Sequence, residues 1–83
     1  MGDILVVDDS QQELQSLRNI LGTAGYQVYA VNSGELALDA VWAYSPELML
    51  LDISMPGIDS FELCRRVKAI KETQDILNIG VYY

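Results

Sequence analysis

Three aspartates follow short apolar runs, and their carboxylates could form a chemically active site. Asp8 and Asp9 follow the run at 4–7, and Asp52 follows the run at 48–51. Each run has the length and composition of a strand buried on both faces of a sheet. Because ligands of parallel α/β sheets bind beyond the carboxyl ends of the strands, we expect the three carboxylates to meet at that edge.

Three carboxylates this close repel one another strongly unless a cation joins them. A divalent ion with oxygen ligands is the natural partner, and Mg²⁺ suits such a site. A carboxylate beside that ion can attack phosphorus and form an aspartyl-phosphate. The alternative interpretation is that these aspartates only cap helices and end strands. Three of them at two strand ends favour the chemical interpretation.

Helical and strand patterns alternate along the rest of the chain. The first helix begins near Ser10 or Gln11 and is ended by Gly22 and Gly25. Its apolar residues, at helical spacing, are Leu14, Leu17, Ile20, Leu21 and Ala24. A second strand is predicted over 26–31.

The second helix follows the turn at 32–34, which offers an N-cap, and is ended by Ser45-Pro46. Its apolar stripe comprises Leu36, Ala37, Ala40, Val41 and Tyr44, and Trp42 is also expected to be a packing residue. Asp59 or Ser60 caps the third helix. Its apolar side comprises Phe61, Cys64, Val67 and Ile70.

This β-α-β-α-β-α order predicts a single α/β domain with a parallel sheet covered by helices. Right-handed crossovers allow the first strand to lie between the second and third, which gives the order 2-1-3. Residues 76–83 are a candidate fourth strand, although Asn78 and Gly80 disfavour it.

Composition excludes several classes of function. A net charge of −7, with 5 basic residues against 12 acidic ones, is a poor match to nucleic acid. The single cysteine permits no intramolecular disulfide, and the absence of histidine removes the usual near-neutral general base. No apolar run approaches the ~18 residues of a membrane span. We therefore expect a cytoplasmic protein that binds neither membrane nor nucleic acid.

Three segments resemble response-regulator receiver domains of two-component signalling. The residues Ile4-Leu5-Val6-Val7-Asp8-Asp9-Ser10 resemble the first strand and acidic pair of that family. The residues Leu50-Leu51-Asp52-Ile53-Ser54-Met55-Pro56-Gly57-Ile58-Asp59 resemble its phosphoacceptor strand and loop. Residues 61–68 continue the match through the third helix. The resemblance covers about 3–72, and residues 73–83 diverge.

The resemblance implies a role for each residue of the site. Asp52 would accept a phosphoryl group from the phosphohistidine of a histidine kinase or phosphotransfer protein. Asp9, Asp52 and the backbone carbonyl of Ser54 would hold Mg²⁺, and Asp8 would reach the ion directly or through water. Such a domain is not an enzyme in the ordinary sense, since at most it catalyses its own phosphorylation from a phosphodonor.

The family pattern continues past the end of the chain, to five strands and five helices in flavodoxin-like order. We therefore expect residues 1–83 to form a C-terminally truncated receiver, an incomplete flavodoxin-like fold of three βα units. The family's Ser or Thr after strand four aligns near Tyr82, and no Lys follows to match the one after strand five. Phosphorylation should therefore be slow, and the uncovered sheet predicts a homodimer.

Two other interpretations stand beside a working phosphoacceptor. One is a non-catalytic dimerisation or protein-interaction module derived from a receiver domain. The other is a haloacid-dehalogenase-like phosphatase, which needs a second aspartate two residues after the nucleophile. Ser54 occupies that position, which argues against the phosphatase.

Overall fold

Parallel strands and helices alternate along the chain, as the sequence predicts. The computed structural model describes residues 2–52, 60–69, 71 and 75–81. In chain order the elements are β1 (Asp3–Val7), α1 (Gln11–Thr23), β2 (Gln27–Val31), α2 (Gly34–Tyr44), β3 (Leu48–Asp52), α3 (Ser60–Ala69) and β4 (Leu77–Val81).

The strands form one parallel sheet in the order β2-β1-β3-β4. The predicted order 2-1-3 is confirmed, and the candidate fourth strand forms despite Asn78 and Gly80, because pairing with β3 outweighs weak local propensity. Val7 is in register with Leu51. The residues that follow these two, Asp8 and Asp52, therefore lie at the same level of the carboxyl edge of the sheet.

Serine side chains cap the first two helices. The Ser10 hydroxyl accepts a hydrogen bond from the Glu13 N–H at 3.3 Å, and the Ser33 hydroxyl accepts one from the Leu36 N–H at 3.1 Å. These contacts satisfy N–H groups that have no partner within the helix. Helix α2 ends at Ser45, whose φ of 45° lies in the left-handed region.

Two apolar cores lie on opposite faces of the sheet, because alternate residues of a strand point to opposite sides. The larger core involves α2 and α3. Its buried residues are Leu5, Val7, Ala37, Ala40, Val41, Met49, Leu51, Leu63, Val67 and Ile76. The smaller core lies under α1 and has Ile4, Val6 and Leu14 as its buried residues.

Several predicted core positions were wrong. Ile20 of α1 is 64% exposed and Leu36 of α2 is 48% exposed, so neither helix buries the full width of its apolar stripe. In α3 the prediction omitted Leu63, which is only 4% exposed, while Val67 is buried as expected. The predicted side followed a spacing of three residues, whereas Leu63 and Val67 are four apart and share one face.

The aromatic residues of α2 differ in their surroundings. Tyr44 stacks on Tyr29 of β2, with ring centroids 3.9 Å apart and an interplanar angle of 10°. Tyr44 therefore makes a packing contact as predicted, although it is 48% exposed and is not part of the buried core. Trp42 is 56% exposed, so its prediction as a packing residue was wrong. Within the described residues, no helix combines the length and apolar character that crossing a membrane requires.

Candidate functional site

The three aspartates singled out by the sequence meet at the carboxyl edge of the sheet. Asp8 and Asp9 follow β1, and Asp52 is the last residue of the adjacent strand β3. Each offers one carboxylate oxygen, and these oxygens all lie within 4.8 Å of one another. Asp8 is 1% exposed and Asp52 is 7% exposed, whereas Asp9 is open to solvent. The cluster is therefore buried on one side and accessible from the other.

Asp8 is held by neighbouring elements on both sides. Its backbone N–H donates a hydrogen bond of 3.1 Å to the carbonyl of Val31, the last residue of β2. Its Oδ1 accepts a hydrogen bond of 2.9 Å from the N–H of Ser10, the residue that caps α1. Aspartate side chains commonly accept the N–H two residues further along the chain. The backbone of Asp8 is thus held by β2, and its carboxylate is held by the residue that caps α1.

Electrostatic repulsion within the site is substantial. The carboxylates of Asp8 and Asp52 are both buried, with oxygens no more than 4.8 Å apart. At an effective dielectric constant of about 20, two unit charges at that separation repel by about 3.5 kcal/mol. The exposed Asp9 adds a further negative charge at the open side. The arrangement is unfavourable by itself and favourable around a cation.

The donor set fits a hard divalent cation by both geometry and chemistry. Opposite oxygens around Mg²⁺ are about 4.2 Å apart, since each metal–oxygen distance is about 2.1 Å. The separation limit of 4.8 Å exceeds this value by an amount that small side-chain rotations can close. All three donors are carboxylate oxygens, which hard cations prefer to nitrogen or sulfur ligands.

The fourth predicted ligand belongs to the segment that follows β3. Ser54, whose backbone carbonyl is the fourth predicted ligand, lies outside the described residues, as does the loop at 55–59. The structure therefore brings together Asp8, Asp9 and Asp52, and the roles of all four residues stay predictions. Sequence reasoning placed the start of the first helix near Ser10 but missed the contact of this residue with Asp8. The spacing of two residues between Asp8 and Ser10 was the signal that could have revealed it.

The comparison with known families agrees with this geometry. The family model described as "Response regulator receiver domain" matches residues 4–82. The chain belongs to the response-regulator receiver family. Both the predicted resemblance to receivers and the predicted flavodoxin-like α/β fold are confirmed. The chain is accordingly a receiver domain of two-component signalling.

Individual relatives extend the comparison. Response regulator MprA of Mycobacterium avium is 38% identical over 74 residues, which are 89% of this chain and 32% of that protein. Sporulation initiation phosphotransferase F of Bacillus subtilis is 35% identical over 79 residues, which are 95% of this chain and 64% of that protein.

A solved structure, the N-terminal domain of a response regulator receiver protein from Methanoculleus marisnigri JR1, matches with a TM-score of 0.90 and 38% identity. That match covers 96% of this chain and 65% of the solved chain. The chain thus spans between about one third and two thirds of the length of these relatives.

Proposed function

We propose that this receiver domain is a Mg²⁺-dependent phosphoacceptor in which Asp52 carries the phosphoryl group. The observation that carries the proposal is the meeting of three carboxylate oxygens, within 4.8 Å of one another, at the ends of two adjacent strands. A relative named as a phosphotransferase, 35% identical to the chain, supports phosphoryl exchange as the activity. We also propose a histidine kinase or phosphotransfer protein as the donor and the cytoplasm as the location.

In the proposed reaction, an oxygen of Asp52 attacks the phosphorus of a phosphohistidine or of a small acyl phosphate. The new O–P bond forms as the bond to the leaving group breaks, and the electron pair stays with the imidazole or the carboxylate that leaves. The product is an acyl phosphate on Asp52. The domain acts on itself in this step, so it is a phosphoacceptor and not an enzyme that turns over a separate substrate.

Asp9, Asp52 and the backbone carbonyl of Ser54 would hold the ion, with Asp8 bound directly or through water. When bound, the ion would neutralise charge on the transferred phosphoryl oxygens. Asp8 contributes by position, because the hydrogen bond from Ser10 holds its carboxylate at the buried side. Asp9 is exposed to solvent, so a phosphodonor can approach the site from its side.

The test is incubation of the protein with acetyl phosphate, with and without Mg²⁺, followed by intact mass measurement. We expect an increase of one phosphoryl group that needs Mg²⁺ and that hydroxylamine removes. Asp52→Asn should abolish the increase. Asp39→Asn is the matched control, because it removes one exposed carboxylate from α2 and should leave labelling unchanged. Labelling that survives Asp52→Asn would contradict the proposal.

For a polypeptide of these 83 residues we propose that labelling is slow, because they do not include the lysine that receivers carry after strand five. Lys68 is not positioned to replace it. The Nζ of Lys68 donates a hydrogen bond of 2.6 Å to the carbonyl of Ile76, which precedes β4 and so lies at the opposite edge of the sheet from Asp52. The charge-assisted contact of a lysine with the phosphoryl group contributes about 1.5–3 kcal/mol. Without this contact in the transition state, transfer is slower by about 10- to 150-fold. Rapid, stoichiometric labelling of this polypeptide would contradict this part.

A second proposal for the same polypeptide is self-association, and a gradient of burial favours it. On the α1 face of the sheet, Ile4 and Val6 of β1 are 4% and 1% exposed. Leu48 and Leu50 of β3 are half-buried, and Ile79, in register with Leu50 on the outer strand β4, is 43% exposed. The same edge of a second copy can cover this apolar strip across a two-fold axis.

Sedimentation equilibrium at micromolar concentration tests the association. We expect a dimer that dissociates in the variant Ile79→Lys, because the charge would be buried at the contact. Leu36→Lys is the control, since Leu36 is exposed to a similar extent (48%) on α2. A monomeric parent protein, or equal dissociation of both variants, would contradict the dimer.

A further inference from the structure

A groove of about 200 Å³ lies at the outer edge of β2, between α1 and the first turn of α2. None of the aspartates of the proposed site lines it. The lining residues are Gln11, Leu14, Gln15, Arg18, Ala30, Val31, Asn32 and Leu36. Its floor is apolar, because Leu14 is buried in the smaller core, and its walls carry amide groups and one positive charge.

Arg18 is the residue that gives this groove its character. It is exposed, and within the described part of the chain it makes no ion pair, whereas Arg65 and Arg66 of α3 both pair with Glu62. No acidic residue lies three or four positions from Arg18 on α1, so the helix supplies no intrahelical partner. The guanidinium group therefore has donors available for a ligand.

Charge makes this location distinctive on an acidic protein. Arg18 is the only basic residue in the first 52 positions of a chain with a net charge of −7. Elsewhere on this half of the chain an anion meets carboxylates, which repel it. An acidic ligand is therefore directed to this groove by local attraction and kept from neighbouring surface by repulsion.

We propose that the groove binds an acidic residue of a protein partner. Arg18 donates two parallel hydrogen bonds to the carboxylate, a geometry that guanidinium groups favour. Gln11, Gln15 and Asn32 provide amide groups for the peptide backbone beside it. Leu36, 48% exposed at the rim, contacts an apolar residue next to the acidic one.

The groove adjoins the proposed phosphoryl-transfer site. Val31, which contributes to the groove, also accepts the hydrogen bond from the Asp8 N–H. A partner anchored on Arg18 is thereby held next to the acidic edge of the sheet. The binding itself requires no chemistry at Asp52, so the inference goes beyond the proposed function.

The experiment is an NMR titration of the ¹⁵N-labelled protein at about 150 mM salt, where long-range repulsion is screened. The probes are the capped dipeptide N-acetyl-Leu-Glu-amide, its neutral counterpart N-acetyl-Leu-Gln-amide, and sodium acetate. We expect the Glu peptide to shift the side-chain amide signals of Gln11, Gln15 and Asn32. Arg18→Gln should weaken this binding about tenfold, the equivalent of one charge-assisted contact, and Arg65→Gln should leave it unchanged.

Three results would overturn the proposal: equal binding of the two dipeptides, unchanged binding in Arg18→Gln, or no shifts at about 20 mM peptide. Acetate binding as tightly as the Glu peptide would overturn the part assigned to Leu36, and weaker acetate binding supports it. Unchanged backbone spectra show that the variants are folded. Arg18→Gln should still be phosphorylated by acetyl phosphate, so failure here is distinguishable from failure of the proposed function.

Discussion

Replacing Asp52 by asparagine should stabilise the metal-free protein while removing its response to Mg²⁺. The side chains of Asp8 and Asp52 are buried with oxygens within 4.8 Å, and this pair repels by about 3.5 kcal/mol at an effective dielectric constant of about 20. Solvent at the open side of the site, beside the exposed Asp9, screens part of this repulsion. We therefore expect the variant to be about 1–3 kcal/mol more stable in the presence of a chelator.

Bound Mg²⁺ should reduce this difference in stability. A ligand that binds only the folded state at ten times its dissociation constant adds about 1.4 kcal/mol to the free energy of unfolding. The wild type should gain this amount, and Asp52→Asn should gain little because one of the three charged donors is gone. The stability advantage of the variant should therefore shrink steadily as Mg²⁺ is added.

Urea and thermal unfolding followed by circular dichroism measure both effects. Each 1 kcal/mol corresponds to about 4–8 °C in Tm for a domain of this size. Asp39→Asn is the matched control, since it removes an exposed charge and should change stability by no more than about 0.5 kcal/mol. The reasoning is refuted if Asp52→Asn is no more stable than the wild type in chelator, or if Mg²⁺ stabilises both equally.

Three further predictions follow from contacts of single residues. Ser10→Ala should lower the free energy of unfolding by about 1 kcal/mol, because the hydroxyl that caps α1 is lost. Its Mg²⁺ affinity should be unchanged, because the backbone N–H of residue 10, which the variant keeps, holds Asp8. Parallel urea and Mg²⁺ titrations check both results. Burial raises the pKa of the Cys64 thiol, and Lys68 lowers it to a smaller extent. At neutral pH, iodoacetamide should therefore react more slowly with folded than with urea-unfolded protein, and Lys68→Met should slow the reaction of the folded protein further. Equal rates for folded and unfolded protein would contradict the raised pKa. The same variant should lose about 1 kcal/mol in urea unfolding, because the bond to the Ile76 carbonyl is lost, and an unchanged midpoint would show that the bond contributes nothing.

The meeting of the aspartates could be predicted because it depends only on topology. Apolar runs located β1 and β3, and adjacent parallel strands bring their carboxyl ends to one edge. The sequence could not supply the register of Val7 with Leu51, which sets Asp8 and Asp52 at the same level. A hydrophobic pattern specifies register where only one face of a strand is apolar, and these two strands are apolar on both faces.

The side of each helix that faces the sheet was harder to predict. Ile20 and Leu36 fit a helical apolar stripe but remain exposed, because the described part of the sheet covers only the centre of each stripe. Leu63 was missed because a strict spacing of three residues drifts around the helix. The groove at Arg18 was missed for a related reason, since it requires knowing that this face of α1 lies over the edge of β2.

The unequal size of the two cores has a consequence for partial opening of the molecule. Helix α1 is attached mainly through the smaller core, so its amide hydrogens should exchange with solvent through a local opening that leaves α2 and the sheet intact. The first turn of α1 is also tied to the acidic site, because Ser10 donates to Asp8. An ion bound there would make that opening rarer, and the protection of α1 amides would report occupancy of a site that the helix contacts through its capping residue.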